Sequence, residues 1–160
     1  MSLWMKKLVP ALIGLLILIQ LIRPSMVNPQ VDSKQELSAH LTVEPTAQAI
    51  FDRSCKDCHS NQTVWPWYSH VAPASWLVAS DVNGGRSHLN FSEWGTYPIE
   101  KSGKLLGEIC KEVQEGDMPP FQYTPMHRTS KLTKADQEDV CRWTMTAQQG
   151  LATSDGAKTP

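Results

Sequence analysis

The hydrophobic residues of this 160-residue chain are most concentrated near its N-terminus. Residues 8–22 form an almost continuous apolar run, with Lys6 and Lys7 before it and Arg23 after it. The run is short for a transmembrane helix and long enough for the core of a signal peptide. Because no small-x-small cleavage site follows, we predict that residues 1–23 form a retained membrane anchor. The two lysines predict that the N-terminus stays inside and the remainder lies outside.

Beyond this segment the apolar spacing predicts helices. Residues 100–115 carry Leu105, Ile109 and Val113 at intervals of four, and Gly116 is a natural end for such a helix. Strand-like alternation is not sustained over any length of the sequence. The pattern therefore predicts an all-α fold with long loops.

A further helix is predicted near the C-terminus. Thr133 is a candidate N-cap, and Asp136 lies where an acidic side chain favours a helix N-terminus. An apolar stripe follows and ends before Gly150, formed by Val140, Trp143 and Ala147. Residues 151–160 are expected to be a disordered tail.

The remaining stretches set the domain boundaries. Residues 24–44 are polar and rich in proline, which predicts a linker that gives reach, or an arm wrapped around the domain. A folded domain is expected over residues 45–150. It should begin with a short helix capped by Thr46, and residues 60–98 should hold turns and short helical pieces. The first helix carries two apolar residues on one face, Ile50 and Phe51.

The charge distribution argues against one class of partner. Residues 1–23 hold three of the 15 basic residues and no acidic one, which leaves 12 basic against 16 acidic residues and a net charge of −4. A mildly acidic domain without a basic stripe offers nucleic acid no electrostatic footprint. We therefore expect no nucleic-acid partner.

The sequence Cys55-Lys-Asp-Cys58-His59 is the strongest chemical signal in the chain. A C-x-x-C-H sequence is typical of covalent haem attachment, in which two thiols add to haem vinyl groups and the histidine becomes the proximal iron ligand. A redox-active dithiol would usually follow a strand, and a zinc ribbon needs a second C-x-x-C, which Cys110 and Cys141 do not supply. We predict one covalently attached haem c.

A haem iron held by one histidine needs a second axial ligand or stays open to small molecules. Met118 is the first candidate, because two prolines follow it in a stiff loop between two predicted helices. A thioether ligand raises the reduction potential relative to a second histidine. The alternatives that remain open are Met126, His127, His88 and His70.

The other cysteines and the aromatic residues have structural interpretations. Outside the cytoplasm Cys110 and Cys141 are expected to form a disulfide, the alternative being two buried thiols. Five aromatic residues cluster after the haem motif and are expected to wall the haem, with an aromatic N–H or O–H group, or Arg86, bonding its propionates. They are Trp65, Trp67, Tyr68, Trp76 and Trp94.

These motifs resemble two known groups of proteins. The early C-x-x-C-H, the late Met-Pro loop and the closing helix resemble class I cytochromes c, in which the Met-Pro methionine is the second axial ligand; that implies a cytochrome c-like fold. Residues 51–143 look more closely like a family of small bacterial haem-binding domain proteins, which tend to carry one N-terminal membrane segment. The matching stretches are 55–61 (CKDCHSN), 65–68 (WPWY), 71–76 (VAPASW), 88–94 (HLNFSEW) and 118–119 (MP).

The resemblance supports the fold and the cofactor and brings no defined activity. We predict a membrane-anchored electron carrier with a single haem, because an iron held by His59 and Met118 would exchange one electron and need no substrate pocket. Such a protein would lie in the bacterial inner membrane with its domain in the periplasm, and would exchange electrons with a partner protein that the sequence does not identify. No catalytic residues are expected, because the sequence offers no nucleophile with a base, phosphate loop or paired carboxylates. The alternatives are a haem-based sensor or a peroxidase-like enzyme, each of which requires an open iron.

Overall fold

The computed structural model describes residues 3–156, and every regular element within them is a helix. The all-α prediction is confirmed. Four short 3₁₀ turns accompany seven α-helices in this part of the chain; the turns are Ile19–Leu21, Trp67–His70, Phe91–Thr96 and Arg128–Ser130. The α-helices are α1 (Leu3–Leu18), α2 (Leu37–His40), α3 (Pro45–Ser54), α4 (Lys56–His59), α5 (Ala74–His88), α6 (Ile99–Glu115) and α7 (Lys134–Gly156).

Helices α6 and α7 pack against each other and form the largest part of the core. Their inner faces bury Leu106, Val140 and Trp143 almost completely. Helix α6 ends at Gly116, whose φ of 81° favours a residue without a Cβ, so the predicted helix over residues 100–115 is confirmed to within one residue. Cys110 of α6 and Cys141 of α7 form a disulfide that joins the two helices, with Cα atoms 4.7 Å apart.

The start of α7 follows the predicted cap chemistry. The Thr133 hydroxyl accepts a hydrogen bond from the Asp136 amide at 3.2 Å, and Asp136 accepts bonds from the Thr133 amide and hydroxyl at 2.8 Å each. This reciprocal arrangement satisfies amide groups that have no partner inside the helix. The predicted helix end at Gly150 was too early, because α7 includes residues 151–156, which were expected to belong to the tail. The helix continues there because Leu151 still packs against the core; residues 157–160 lie outside the described part.

The predicted linker over residues 24–44 is largely a wrapped arm. Leu37 belongs to the hydrophobic core, and Leu41 and Val43 pack against it. The Trp143 indole N–H donates to the Thr42 carbonyl at 3.0 Å. Three apolar side chains before the predicted domain start at residue 45 therefore contribute to the same core.

Two predictions for the first half of the domain also need correction. Helix α3 begins at Pro45 with Glu44 as its N-cap residue, because proline fits the first turn of a helix, where no amide donor is required. The stretch over residues 60–98 holds a 15-residue helix, α5, as well as the expected short pieces. The buried face of α5 is made of small residues, namely Ser75, Ala79 and Val82.

The N-terminal helix is exposed along its whole apolar length. The 18 residues from Trp4 to Leu21 are long and apolar enough to cross a membrane, a property that a cleavable signal sequence shares. The helix end is nevertheless bonded to the domain. The Gln20 side-chain amide donates to the Ala72 carbonyl at 3.1 Å, its oxygen accepts from the Ala72 amide at 2.9 Å, and the Trp76 indole donates to the Ile22 carbonyl at 2.8 Å.

Candidate haem site

The two cysteines of the C-x-x-C-H sequence lie on one tight turn. Helix α3 ends at Ser54, the backbone bends at Cys55, and the amides of Cys58 and His59 then donate to the Cys55 carbonyl at 3.2 and 2.9 Å. Both thiols are free. Burial is the main cause that raises the pKa of the Cys55 thiol to about 12, and the neighbouring Cys58 charge is the second. Burial also raises the pKa of the Cys58 thiol to about 12, with the charge of Asp81 as the second cause. Neutral thiols contrast with the lowered pKa of redox-active dithiols.

His59 is held with one ring nitrogen fixed. Its Nδ1 lies 3.0 Å from the Leu89 carbonyl oxygen, and because a carbonyl only accepts, Nδ1 must carry the proton. Burial lowers the pKa of the imidazole, while the contacts with the carbonyls of Leu89 and Gly85 partly oppose that shift. The ring is therefore held neutral with an unprotonated Nε2, the form that binds a metal ion.

Two cavities of about 290 Å³ each adjoin His59, and Met118 lines both of them. The first lies against α6 and has mainly apolar walls, including Leu105 and Ile109. The second lies against the C-terminal half of α5 and is also lined by Tyr123. Met118 itself is 37% exposed. Imidazole, thioether and two thiols around apolar space are a donor set that fits a covalently bound haem.

The alternative ligands lie in different places. His88 lines the first cavity, but its Nε2 is 3.1 Å from the Glu108 carboxylate. Met126 and His127 line a third cavity of about 290 Å³, which Cys58 adjoins and His59 does not. His70 belongs to the 3₁₀ turn Trp67–His70 and lines none of these three cavities.

The tryptophans predicted to wall the haem do not line either cavity beside His59. Two of their indole N–H groups instead bind residues near the N-terminus: Trp65 donates to the Asn28 side chain at 3.2 Å, and Trp76 donates to the Ile22 carbonyl. Arg86, a predicted propionate partner, donates to the Ser60 carbonyl at 2.8 Å and to the Asn28 side chain at 2.7 Å. These three side chains thus have partners within the protein.

A polar cluster beside Cys58 was not predicted from the sequence. The Tyr68 hydroxyl lies 2.6 Å from His127 Nε2, and the Tyr123 ring stacks on the His127 ring with centroids 4.0 Å apart. Tyr123 also donates to the Asp57 carboxylate at 2.8 Å. Burial, followed by the charge of Asp57, strongly raises the pKa of Tyr123, so its hydroxyl stays protonated. Tyr123 and His127 are four positions apart, but residues 57 and 68 are too far from that pair in sequence for a local pattern to connect them.

Comparison with known proteins is consistent with this site. The chain belongs to the haem-binding domain family, whose sequence profile matches residues 14–146. It is also similar to the cytochrome c peroxidase Ccp of Escherichia coli (strain K12), with 24% identity over 97 residues that cover 58% of this chain. The chain spans only about a fifth of that relative, 20% of its length. No solved structure matches. The protein is thus a haem-binding protein.

Proposed function

We propose that the protein is a membrane-anchored c-type cytochrome that carries one electron on a single covalent haem. In this proposal the thiols of Cys55 and Cys58 form the thioether links, and His59 Nε2 and the Met118 sulfur are the axial ligands. The observation that carries the proposal is that His59 and Met118 line the same two cavities next to the C-x-x-C turn.

Electron transfer is the function that two protein ligands favour. An iron with both axial positions filled has no free site for a substrate, and a methionine ligand raises its reduction potential relative to bis-histidine ligation. The Leu89 carbonyl supports the histidine side of the pair by fixing the ring orientation and tautomer. The partner that supplies or removes the electron would be another protein near the membrane.

The proposed location is the periplasmic side of the bacterial inner membrane. The exposed apolar helix and the basic residues Lys6 and Lys7 support an anchor whose N-terminus is inside. The disulfide between Cys110 and Cys141 supports an oxidising compartment for the domain. The haem attachment sequence agrees with the same compartment, because c-type haem is assembled outside the cytoplasm.

The ligand assignment is tested by absorption spectra of the exported full-length protein and its Met118→Ala variant, oxidised and reduced. We expect low-spin haem in both states of the parent and a sulfur-to-iron charge-transfer band that only Met118→Ala removes. Met126→Ala is the matched control, because Met126 is also exposed and lines the cavity that His59 does not adjoin. A high-spin parent, or loss of the band in Met126→Ala alone, would refute the assignment.

A peroxidase-like activity is the second candidate, and the similarity to Ccp favours it. This function requires an iron that peroxide can reach, as does small-gas sensing. The resting protein would then bind cyanide, or carbon monoxide when reduced, and would consume hydrogen peroxide with an electron donor. The electron-carrier proposal expects none of these reactions in the parent and ligand binding only after Met118→Ala.

A further inference from the structure

One stretch of the domain combines the absence of charge with exposed apolar side chains. Residues 58–80 contain no lysine, arginine, aspartate or glutamate, although these make up 19% of the chain. Val64 is 75% exposed and Trp67 is 73% exposed. Three further large apolar side chains in this stretch are also exposed, and we call the set of five the exposed apolar face: Val64, Trp67, Val71, Trp76 and Leu77.

The five residues lie on neighbouring elements. The 3₁₀ turn Trp67–His70 packs against α5, which carries Trp76 and Leu77. Val64 and Leu77 line the same cavity, and Tyr68, whose ring contacts Trp67 with centroids 5.8 Å apart, lines it as well. The face is therefore one surface and not a set of scattered side chains.

The end of the N-terminal apolar helix is bonded to this surface. Trp76 donates its indole N–H to the Ile22 carbonyl, and the Gln20 side chain pairs with both backbone groups of Ala72. Gln20 is the polar residue of the apolar run, and this pairing satisfies its amide without water. A helix that crosses the membrane from Trp4 to Leu21 would thus place Ala72 and Trp76 at the level where the lipid ends.

We propose that the exposed apolar face rests in the lipid–water interface of the same membrane, so that the haem domain lies on the bilayer surface in a fixed orientation. This inference depends on the membrane anchor of the proposed function. Tryptophan suits such an interface because its ring is apolar and its N–H is polar. The ion pairs Lys104–Glu108 and Lys111–Glu115 belong to α6, which carries none of the five residues of the face.

Lipid is the occupant that the contacts favour over a protein partner. An exposed apolar patch marks an interaction site of either kind. Here the end of the apolar helix is hydrogen-bonded to Trp76 of the exposed apolar face. The bilayer that holds the anchor therefore also lies next to this face. The anchor is part of the same chain and keeps these residues next to lipid, so a protein partner would have to displace that lipid.

The test uses the full-length haem-loaded protein in phosphatidylcholine vesicles that contain a lipid with a diazirine near the glycerol backbone. After illumination, labelled peptides are mapped by mass spectrometry. We expect label within residues 4–21 and within residues 64–77, with several-fold less label around Met145, which is exposed on α7. Label in the helix but not in residues 64–77 would overturn the inference and leave the anchor intact; label in neither would overturn both.

A double variant tests whether the labelling depends on the apolar side chains of the face. Trp67→Ser combined with Leu77→Ser should reduce the label on residues 71–76 several-fold while the label on residues 4–21 is unchanged. Met145→Ser is the control, because it removes an exposed apolar side chain elsewhere and should change neither region. The haem spectrum should be the same in all three proteins. Unchanged label on residues 71–76 in the double variant would contradict the inference.

Discussion

Helix α5 passes so close to the C-x-x-C-H turn that one of its positions has no room for a side chain. A Cβ at Gly85 would lie 2.5 Å from the Cys58 carbonyl oxygen and 3.0 Å from the Cys58 carbonyl carbon. Both are backbone atoms, so no side-chain rotation relieves the clash. Gly85→Ala must therefore move α5 away from the C-x-x-C-H turn, or move the turn itself.

The size of the effect follows from two opposing contributions. Alanine in place of glycine inside a helix stabilises it by up to about 1 kcal/mol. Forcing an extra carbon into a packed contact costs about 1–3 kcal/mol. Gly103→Ala in α6 is the matched control, because nothing lies within 4 Å of its Cβ position. Relative to that control, Gly85→Ala should be less stable by about 1–3 kcal/mol.

The comparison is made by thermal unfolding of the full-length proteins, followed by circular dichroism. For a domain of this length each kcal/mol corresponds to roughly 4 °C in Tm, so the Tm of Gly85→Ala should lie roughly 4–12 °C below that of Gly103→Ala. The Gly103→Ala protein should melt at or slightly above the parent. Equal melting temperatures for the two variants would show that α5 and the turn are not in this close contact.

Two further predictions concern the α6–α7 framework. Asp136→Ala should cost about 1 kcal/mol at neutral pH, because it removes the bonds that the Asp136 carboxylate accepts from Thr133 and its ion pair with Arg53. Burial raises the Asp136 pKa, but the bonds from Thr133 and Arg53 lower it overall. This stability is therefore present above the usual carboxylate pKa and is lost as pH falls through the folded pKa. Urea unfolding of both proteins at several pH values should show the difference shrinking at low pH. Replacing Cys110 and Cys141 together by serine should lower the free energy of unfolding by about 3–4 kcal/mol, because the unfolded chain is then no longer constrained by a closed loop. Urea unfolding measures this difference too. An unchanged free energy of unfolding would contradict the presence of the disulfide.

The helices that the sequence predicted well are those whose signals are local. In α6 the apolar residues recur every four positions and a glycine ends the pattern, so both ends could be located. In α7 the start depends on Thr133 and Asp136, three residues apart. The end of α7 was missed because Leu151 is held by residues distant in sequence.

Helix α5 shows why periodicity alone fails at a close contact. Its buried positions are Ser75, Ala79 and Val82, spaced as a helix face should be, yet two of the three are too small to register as an apolar stripe. Small residues occur where helices must approach another backbone closely, as Gly85 does at Cys58. The small side chains that let α5 approach the C-x-x-C-H turn are thus also the reason that a hydrophobicity pattern does not reveal this helix.

The candidate site likewise has one part that a local motif predicts and another that depends on the fold. The C-x-x-C-H turn is a local motif and could be read directly from the sequence. The choice among methionines and histidines could not, because it depends on which loop the fold brings to His59; Met118 shares cavities with it and Met126 does not. The hydrogen bond between Tyr68 and His127 needs the loop over residues 118–127 to fold against the turn Trp67–His70, and no spacing rule contains that information.

The packed arm changes the expected way in which an anchored carrier would work. A flexible linker over residues 24–44 would let the domain swing from one membrane protein to another. Instead, Arg86 joins the arm to the loop after the haem turn by donating to both Asn28 and Ser60, and Leu37 is part of the core. A haem domain tied in this way keeps one orientation relative to the helix end at Ile22. If the protein carries electrons as proposed, its donor and acceptor would therefore have to reach the haem by their own diffusion.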